Sequence, residues 1–453
     1  MNARDIDMLH GSLWDKIIIF ALPLALTGVM QQLLNGADIL TLGQFVGKHA
    51  MAAVGNNISM VGLIISLMMG LSLGANVVIA QNIGAKRIDS AHAAVGTTFI
   101  LAIICGIFFC ILAEFLVTPI FYFLEVPSSV VDMAETYLRI FLLGLPAISL
   151  YNFQAAIFRS KGDTKTPLIA LTVASGVNIF FNLLFVIQFD WGVAGVAAAT
   201  VLANVVSVII LFRALLKADG IIKLNLNALI VDKAELFEIV RIGLPAGVQG
   251  MVFSLSNLLI QAAINSLGAD AMAASAAAFT IEINVFCIVN AFGQAATTFV
   301  GQNYGAGNLP RCKRATWVSM GLSAIFMQTF CLIILFFAEE ILAVFNEDPE
   351  VIRLGVIRLW YIVCPELINV LMEGFSGALR GYGISLTPAV ITLICVCGIR
   401  VTWVFTAFEK IPTYATLMAV YPISWFITTI FLVAAYFYNV KRLKPARNAI
   451  RNS

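Results

Sequence analysis

An all-α membrane fold, with twelve transmembrane helices in two pseudo-symmetric six-helix lobes, is predicted by three observations. Hydrophobic residues make up 60% of the 453-residue chain, charged residues only 11%, and the mean hydropathy is +0.96. Ordinary globular domains carry roughly 25% charge, so a water-soluble protein of this length is excluded. Apolar runs long enough for a bilayer, about 20 residues each, recur twelve times. A motif-bearing stretch is also written twice at a spacing of 221 residues, Gln81-Asn82-Ile83-Gly84-Ala85 returning as Gln302-Asn303-Tyr304-Gly305-Ala306. Duplicated hydrophobic bundles are a common build of secondary transporters.

The spans follow in order. The first, 15–43, starts beyond the polar stretch Met1 to Gly11, runs past the length of a signal peptide and holds Leu22-Pro23. The second, 51–82, ends in the Gln-Asn motif; 93–117 and 133–158 follow, the latter stopped by Arg159 and Gly162. Thr166-Pro167 opens 166–188, and 192–214 completes the set. The stretch 215–235 is polar enough to be a linker, so residues 1–220 are expected to form one lobe and 236–453 the other with its tail. The second set reads 236–265, 270–301, 315–338, 351–379, 386–408 and 413–438. Leu244-Pro245, Arg380, Gly383, Thr387 and Pro388 return in it at matching places. Six spans is an even number, so both halves enter from the same side, as parallel repeats.

Charge sets the orientation. Alternate connections carry Lys86 and Arg87, then Arg159, Lys161 and Lys165, then Lys217, Lys223 and Lys233. The same side continues with Arg311, Lys313 and Arg314, then Arg380, then the tail Lys441, Arg442, Lys444, Arg447 and Arg451. The opposite connections hold only Lys48 and Lys410 beside several acids. Positive residues stay cytoplasmic, which places both termini there in a multi-pass plasma (inner) membrane protein. The net charge of +2 forms no patch, so no nucleic-acid partner is expected. The eight cysteines fall mostly in apolar runs and read as small hydrophobes. His10, His49 and His92 lie at span edges or loops, and no HExxH, GxSxG or GxxxxGK[ST] motif occurs, so neither an enzyme nor direct ATP use is indicated. No cofactor is expected, and a monomer is the default.

The informative residues are ionisable, lie inside spans and are absent from the partner half. Each costs about 2.5–3.5 kcal/mol at a helix centre on insertion scales. Asp38 stands against Ile260, with Gln31 seven residues earlier on the same face. Glu282 stands against Val61, Glu373 against Asn152 and Arg400 against Ile179. Glu366, Asn369 and Glu373 form one stripe, and Asn178 and Asn182 are one turn apart. Asp38 is either a hydrogen-bonded, permanently neutral acid that tightens packing or a group that gains and loses charge. Glu282 and Glu373 with Arg400 are either a static buried ion pair or a second-lobe polar network.

These residues, the Gln-Asn-x-Gly-Ala repeat and Gly377-Ala378-Leu379-Arg380-Gly381 together resemble the multidrug and toxic compound extrusion (MATE) transporters, in the bacterial branch related to DNA-damage-inducible protein F. The resemblance covers essentially the whole chain. It implies lobes around a central V-shaped cleft and export of lipophilic, typically cationic drugs in exchange for protons or sodium ions. Asp38 matches the family's cation-coupling aspartate, and Gln31 a glutamine beside it at the cleft. Asn178 and Thr200 match the N-lobe cation site, which implies a sodium site at Asp38, Asn178 and Thr200. Asn182 departs from an aspartate in related members, which puts simple transfer of that site in doubt. Glu282 is a further candidate for the substrate cleft. The nearest rival is a flippase or exporter for a lipid-linked saccharide, which needs cationic residues for pyrophosphate; a scaffold, a receptor or a channel fits less well.

Overall fold

The computed structural model describes residues 6–123, 128–218 and 220–443, and among these every regular element is helical. The spans are α1 (Trp14–Phe45), α2 (Lys48–Gly84), α3 (Ile88–Phe123), α4 (Ser128–Leu143 then Leu145–Lys161), α5 (Lys165–Gln188) and α6 (Gly192–Lys217). The second set is α7 (Lys233–Asn265), α8 (Ala269–Gly305), α9 (Leu309–Phe336), α10 (Pro349–Ile362 then Glu366–Gly381), α11 (Leu386–Phe408) and α12 (Tyr414–Arg442). Ten of these are unbroken candidate spans, and counting each bent pair as one gives the twelve expected. The bends in α4 (46°) and α10 (43°) follow from Pro146 and Pro365, which remove a ladder hydrogen bond and crowd the preceding turn.

The duplication is written in the backbone as well as in the sequence. Six of the left-handed residues form pairs 221 apart: Gly47 (φ 115°) with Gly268 (φ 101°), Lys86 (57°) with Gly307 (74°), and Gly162 (102°) with Gly383 (83°). Lys86 and Gly307 close the helix ends that the Gln-Asn motif terminates, where Arg87 N donates to Asn82 O and Asn308 N to Asn303 O. The motif asparagines then reach the start of a half's leading helix, inside its first turn in one case and just ahead of it in the other. Asn82 Nδ2 donates to Glu235 Oε2 (3.0 Å), and Asn303 Nδ2 to Met8 O (3.2 Å). The repeated motif is therefore a structural clamp at both sites.

Two compact units divide the chain differently from the repeat. One holds Ile6 and Val29–Gly247; the other holds Asp7–Gly28 and the chain from Val248 onward. Each unit thus takes the first turns of the other half's leading helix. Glycines make this possible in the first unit. A Cβ at Gly70 would lie 2.0 Å from Gly247 N, and one at Gly74 2.3 Å from Ile239 O, so α2 and the start of α7 touch backbone to backbone. In the second unit Phe20 of α1 meets Phe299 of α8 edge-on at 5.7 Å, and Gly28 faces Cys287. The polar connection after α6 is not a free tether: Ile222 and Leu224 are buried with Leu211, Leu215 and Ile239, and Asp232 N donates to Thr97 Oγ1 (2.9 Å).

Candidate functional site

In the first unit Asp38 of α1 is only 6% exposed and meets side chains of α5 and α6. Asn182 Nδ2 donates to Asp38 Oδ1 (2.5 Å) and to Asn178 Oδ1 (3.1 Å). Thr200 Oγ1 donates to Asp38 Oδ2 (3.1 Å) and accepts from Asn178 Nδ2 (3.2 Å). Asn178 and Asn182 face together because they are one helical turn apart. Thr200 reaches across because α6 begins with small residues; a Cβ at Gly195 would lie 2.9 Å from the Phe185 side chain of α5. Buried Tyr137 of α4 faces the same carboxylate. Gln31 is half-buried, about 10 Å earlier along α1 by helical rise, and stands outside this cluster.

The chemistry follows from the inventory of donors. Amide and hydroxyl donors solvate Asp38, and among the described residues it forms no salt bridge. A carboxylate in that position lacks a countercharge, which is costly inside a membrane. Asn182 Oδ1 is buried with no hydrogen-bond partner. Rotating that amide by 180° would turn this oxygen toward Asp38 and leave an all-oxygen set from Asp38, Asn178, Asn182 and Thr200. Hard cations prefer such ligands. The described residues contain no group of three or more His, Cys, Asp or Glu side chains suited to a transition metal.

The second unit does not form the ion pair expected for Arg400. Glu282 of α8 is held bidentately by Arg358 of α10, at 2.8 and 2.9 Å, with both side chains at most 10% exposed. Asn369 Nδ2 donates to Glu366 Oε1 (2.8 Å), and Glu373 lies 3.8 Å from Arg380. Glu366 opens the second half of α10 beyond Pro365, where the positive end of the helix dipole favours an acid. Arg400 faces α7 and α12 instead, donating to Asn257 Oδ1 (2.8 Å). The reason is position: Glu282 lies where α8 packs on α10, whereas Arg400 is on α11.

Arg358 and Tyr137 were missed from the sequence, and a signal for the first was present. Arg358 lies on the stripe Val351, Leu354, Gly355, Arg358, Leu359 and Ile362, the buried face of its helix. At the repeat spacing it stands where the first half has Tyr137.

The MatE family model matches the chain twice, over residues 23–184 and 245–406, each copy taking five helices of a repeat. The chain belongs to the MatE family. It is a multi-pass membrane transporter of the MATE type rather than a soluble protein. The chain is 26% identical to Probable multidrug resistance protein YoeA of Bacillus subtilis, over 97% of this chain and 96% of that one. It is 23% identical to an FAD transporter of Shewanella oneidensis, with 79% and 80% covered. A MATE protein solved in complex with MaL6 superposes with a TM-score of 0.90 at 21% identity, covering 97% of this chain and 99% of its own, which shows the shared fold.

Proposed function

We propose that this MATE transporter is a secondary active antiporter that exports lipophilic, typically cationic small molecules in exchange for a proton or sodium ion taken up at Asp38. The observation that carries the reading is the buried carboxylate, bonded to neutral donors from two neighbouring helices and to no cation among the described residues. A cation arriving there supplies the missing charge, rearranges the amide and hydroxyl partners and favours a different state of the transporter from the one cargo favours. Exchange needs only that preference. Relatives named for multidrug resistance support the cargo class. The one-sided Lys and Arg distribution supports a plasma-membrane orientation with cytoplasmic termini. No ATP, cofactor or second copy enters the scheme.

A flippase for lipid-linked saccharides is less well supported. Arg358 and Arg380 already face acids, and Arg400 alone is a single positive charge against the multiple charges of a pyrophosphate. The test is efflux of a fluorescent cationic dye from proteoliposomes, with a proton or a sodium gradient imposed separately. Gradient-driven uphill movement with either ion supports antiport; dye that only equilibrates under both gradients refutes it.

A further inference from the structure

The second unit holds a charge that its own fold leaves uncompensated. Arg400 is 1% exposed, within α11. Its Nη1 donates to Asn257 Oδ1 (2.8 Å), and its guanidinium lies over the rings of Tyr421 (4.6 Å) and Phe253 (5.5 Å). Its Nε is buried with no partner, and among the described residues it makes no salt bridge. The unit's buried acids are engaged elsewhere, Glu282 by Arg358, Glu373 beside Arg380 and Glu366 by Asn369. Aromatic faces attract a cation more weakly than an uncompensated buried charge is penalised. The rings therefore offset only part of the cost.

Access and local backbone both point to a ligand. Asn257, Gln261 and Asn265 recur every fourth residue on α7, and all three are exposed. A polar stripe on a spanning helix faces water rather than lipid, and Asn257 belongs both to that stripe and to Arg400. Immediately before Arg400 the chain widens into π-helical turns, Leu393–Gly398. The equivalent stretch of α5 is regular α-helix, and wide turns of this kind collect at functional sites. By the repeat spacing, Ile399 and Tyr421 replace Asn178 and Thr200 of the Asp38 cluster. The same place in the two repeats thus carries opposite charge.

We infer that Arg400, Asn257 and Tyr421 form a binding site for a monovalent anion, the carboxylate of a small aromatic or amphipathic organic acid. The carboxylate takes the place of Asn257 Oδ1 on the guanidinium, whose planar edge suits two parallel hydrogen bonds, while the Tyr421 and Phe253 rings cover the apolar part. That such an acid or zwitterion is cargo rests on the export reading; that it binds does not.

The probes are sodium benzoate, its neutral isostere benzamide, and sodium chloride, added to purified full-length protein at constant sodium and followed by titration calorimetry and thermal unfolding. Benzoate is expected to bind saturably and raise the melting temperature, with benzamide and chloride without effect. Arg400→Gln should weaken benzoate at least tenfold, and Arg400→Lys should recover part of the loss. Asn257→Asp would supply an internal carboxylate, so it should raise the melting temperature and abolish benzoate binding even if Arg400→Gln fails to fold. Undiminished benzoate binding in Asn257→Asp or Arg400→Gln overturns the assignment, as does wild type that responds equally to benzamide or only to chloride. Wild type that binds benzoate but moves no dye would defeat the export reading and leave this site standing; the converse would defeat this site alone.

Discussion

Replacing Asp38 by Asn separates coupling from folding. The substitution keeps an oxygen to accept from Asn182, which stands at 2.5 Å, and exchanges the second oxygen for an amide beside Thr200 at 3.1 Å. Hydrogen bonds to a charged acceptor are worth about 1.5–3 kcal/mol and neutral ones about 0.5–1.5, so the cluster loses about 1–2 kcal/mol of pairing. Removing an uncompensated charge from a buried position offsets that loss, and the variant is expected to fold. Transport should change far more. A monovalent cationic dye exchanged for one proton moves no net charge, so its accumulation tracks the pH gradient alone. Two pH units are worth about 2.7 kcal/mol, a ratio of about 100. In dye-loaded proteoliposomes wild type should approach that ratio with the coupling ion it uses, and Asp38→Asn should stay near 1. An Asp38→Asn protein that still concentrates dye tenfold or more under a proton or sodium gradient would refute the reasoning.

Three structural outcomes follow from the packing. Gly70→Ala forces a methyl into the α2–α7 backbone contact and should destabilise by about 3 kcal/mol or more, whereas Gly62→Ala, with open space where the methyl would sit, should leave the melting temperature unchanged. Glu282→Gln strands Arg358 and should cost about 3–5 kcal/mol; Glu282→Gln combined with Arg358→Met should be less destabilised in the same unfolding assay. Arg311 donates to the carbonyls of Met8, His10 and Gly11, so Arg311→Ala should lower hydrogen-exchange protection of residues 7–13 about ten- to a hundredfold, matching about 1.5–3 kcal/mol for bonds to a charged donor. That segment also carries an acid signature. Burial pushes the Asp7 carboxyl up, but the amides of Leu9 and His10 and the His10 ring outweigh it and hold Asp7 below its ordinary 3.8. A depressed folded value means that its contribution is full above that pH and lost as pH falls through the lowered value. Protease nicking of the segment should therefore rise only below about pH 4, and Asp7→Asn should raise it at neutral pH.

The span pattern was legible because bilayer thickness imposes a length and the duplication repeats it. Asp38 stood out by a charge asymmetry between halves, and Asn178 with Asn182 by their one-turn spacing. The exchange of leading half-helices between compact units was not legible, since it depends on glycine-to-backbone approach that carries no hydropathy signal. Arg358 was hidden for a related reason. Read along the chain it is one more basic residue near a span edge, and only the stripe shared with Leu354 and Ile362 shows that it points inward. Arg400 was recognised as unusual, but its partner was not, because a charge within a span announces a need without naming which neighbouring helix answers it.

Cation release on dye binding tests the central claim most directly. Purified protein in weakly buffered detergent, mixed with saturating dye, should give up about one proton or sodium ion per dye bound, if occupancy of Asp38 by the two is mutually exclusive. Asp38→Asn should bind dye and release none. Wild type that binds dye without release, or Asp38→Asn that releases the full amount, would contradict the account.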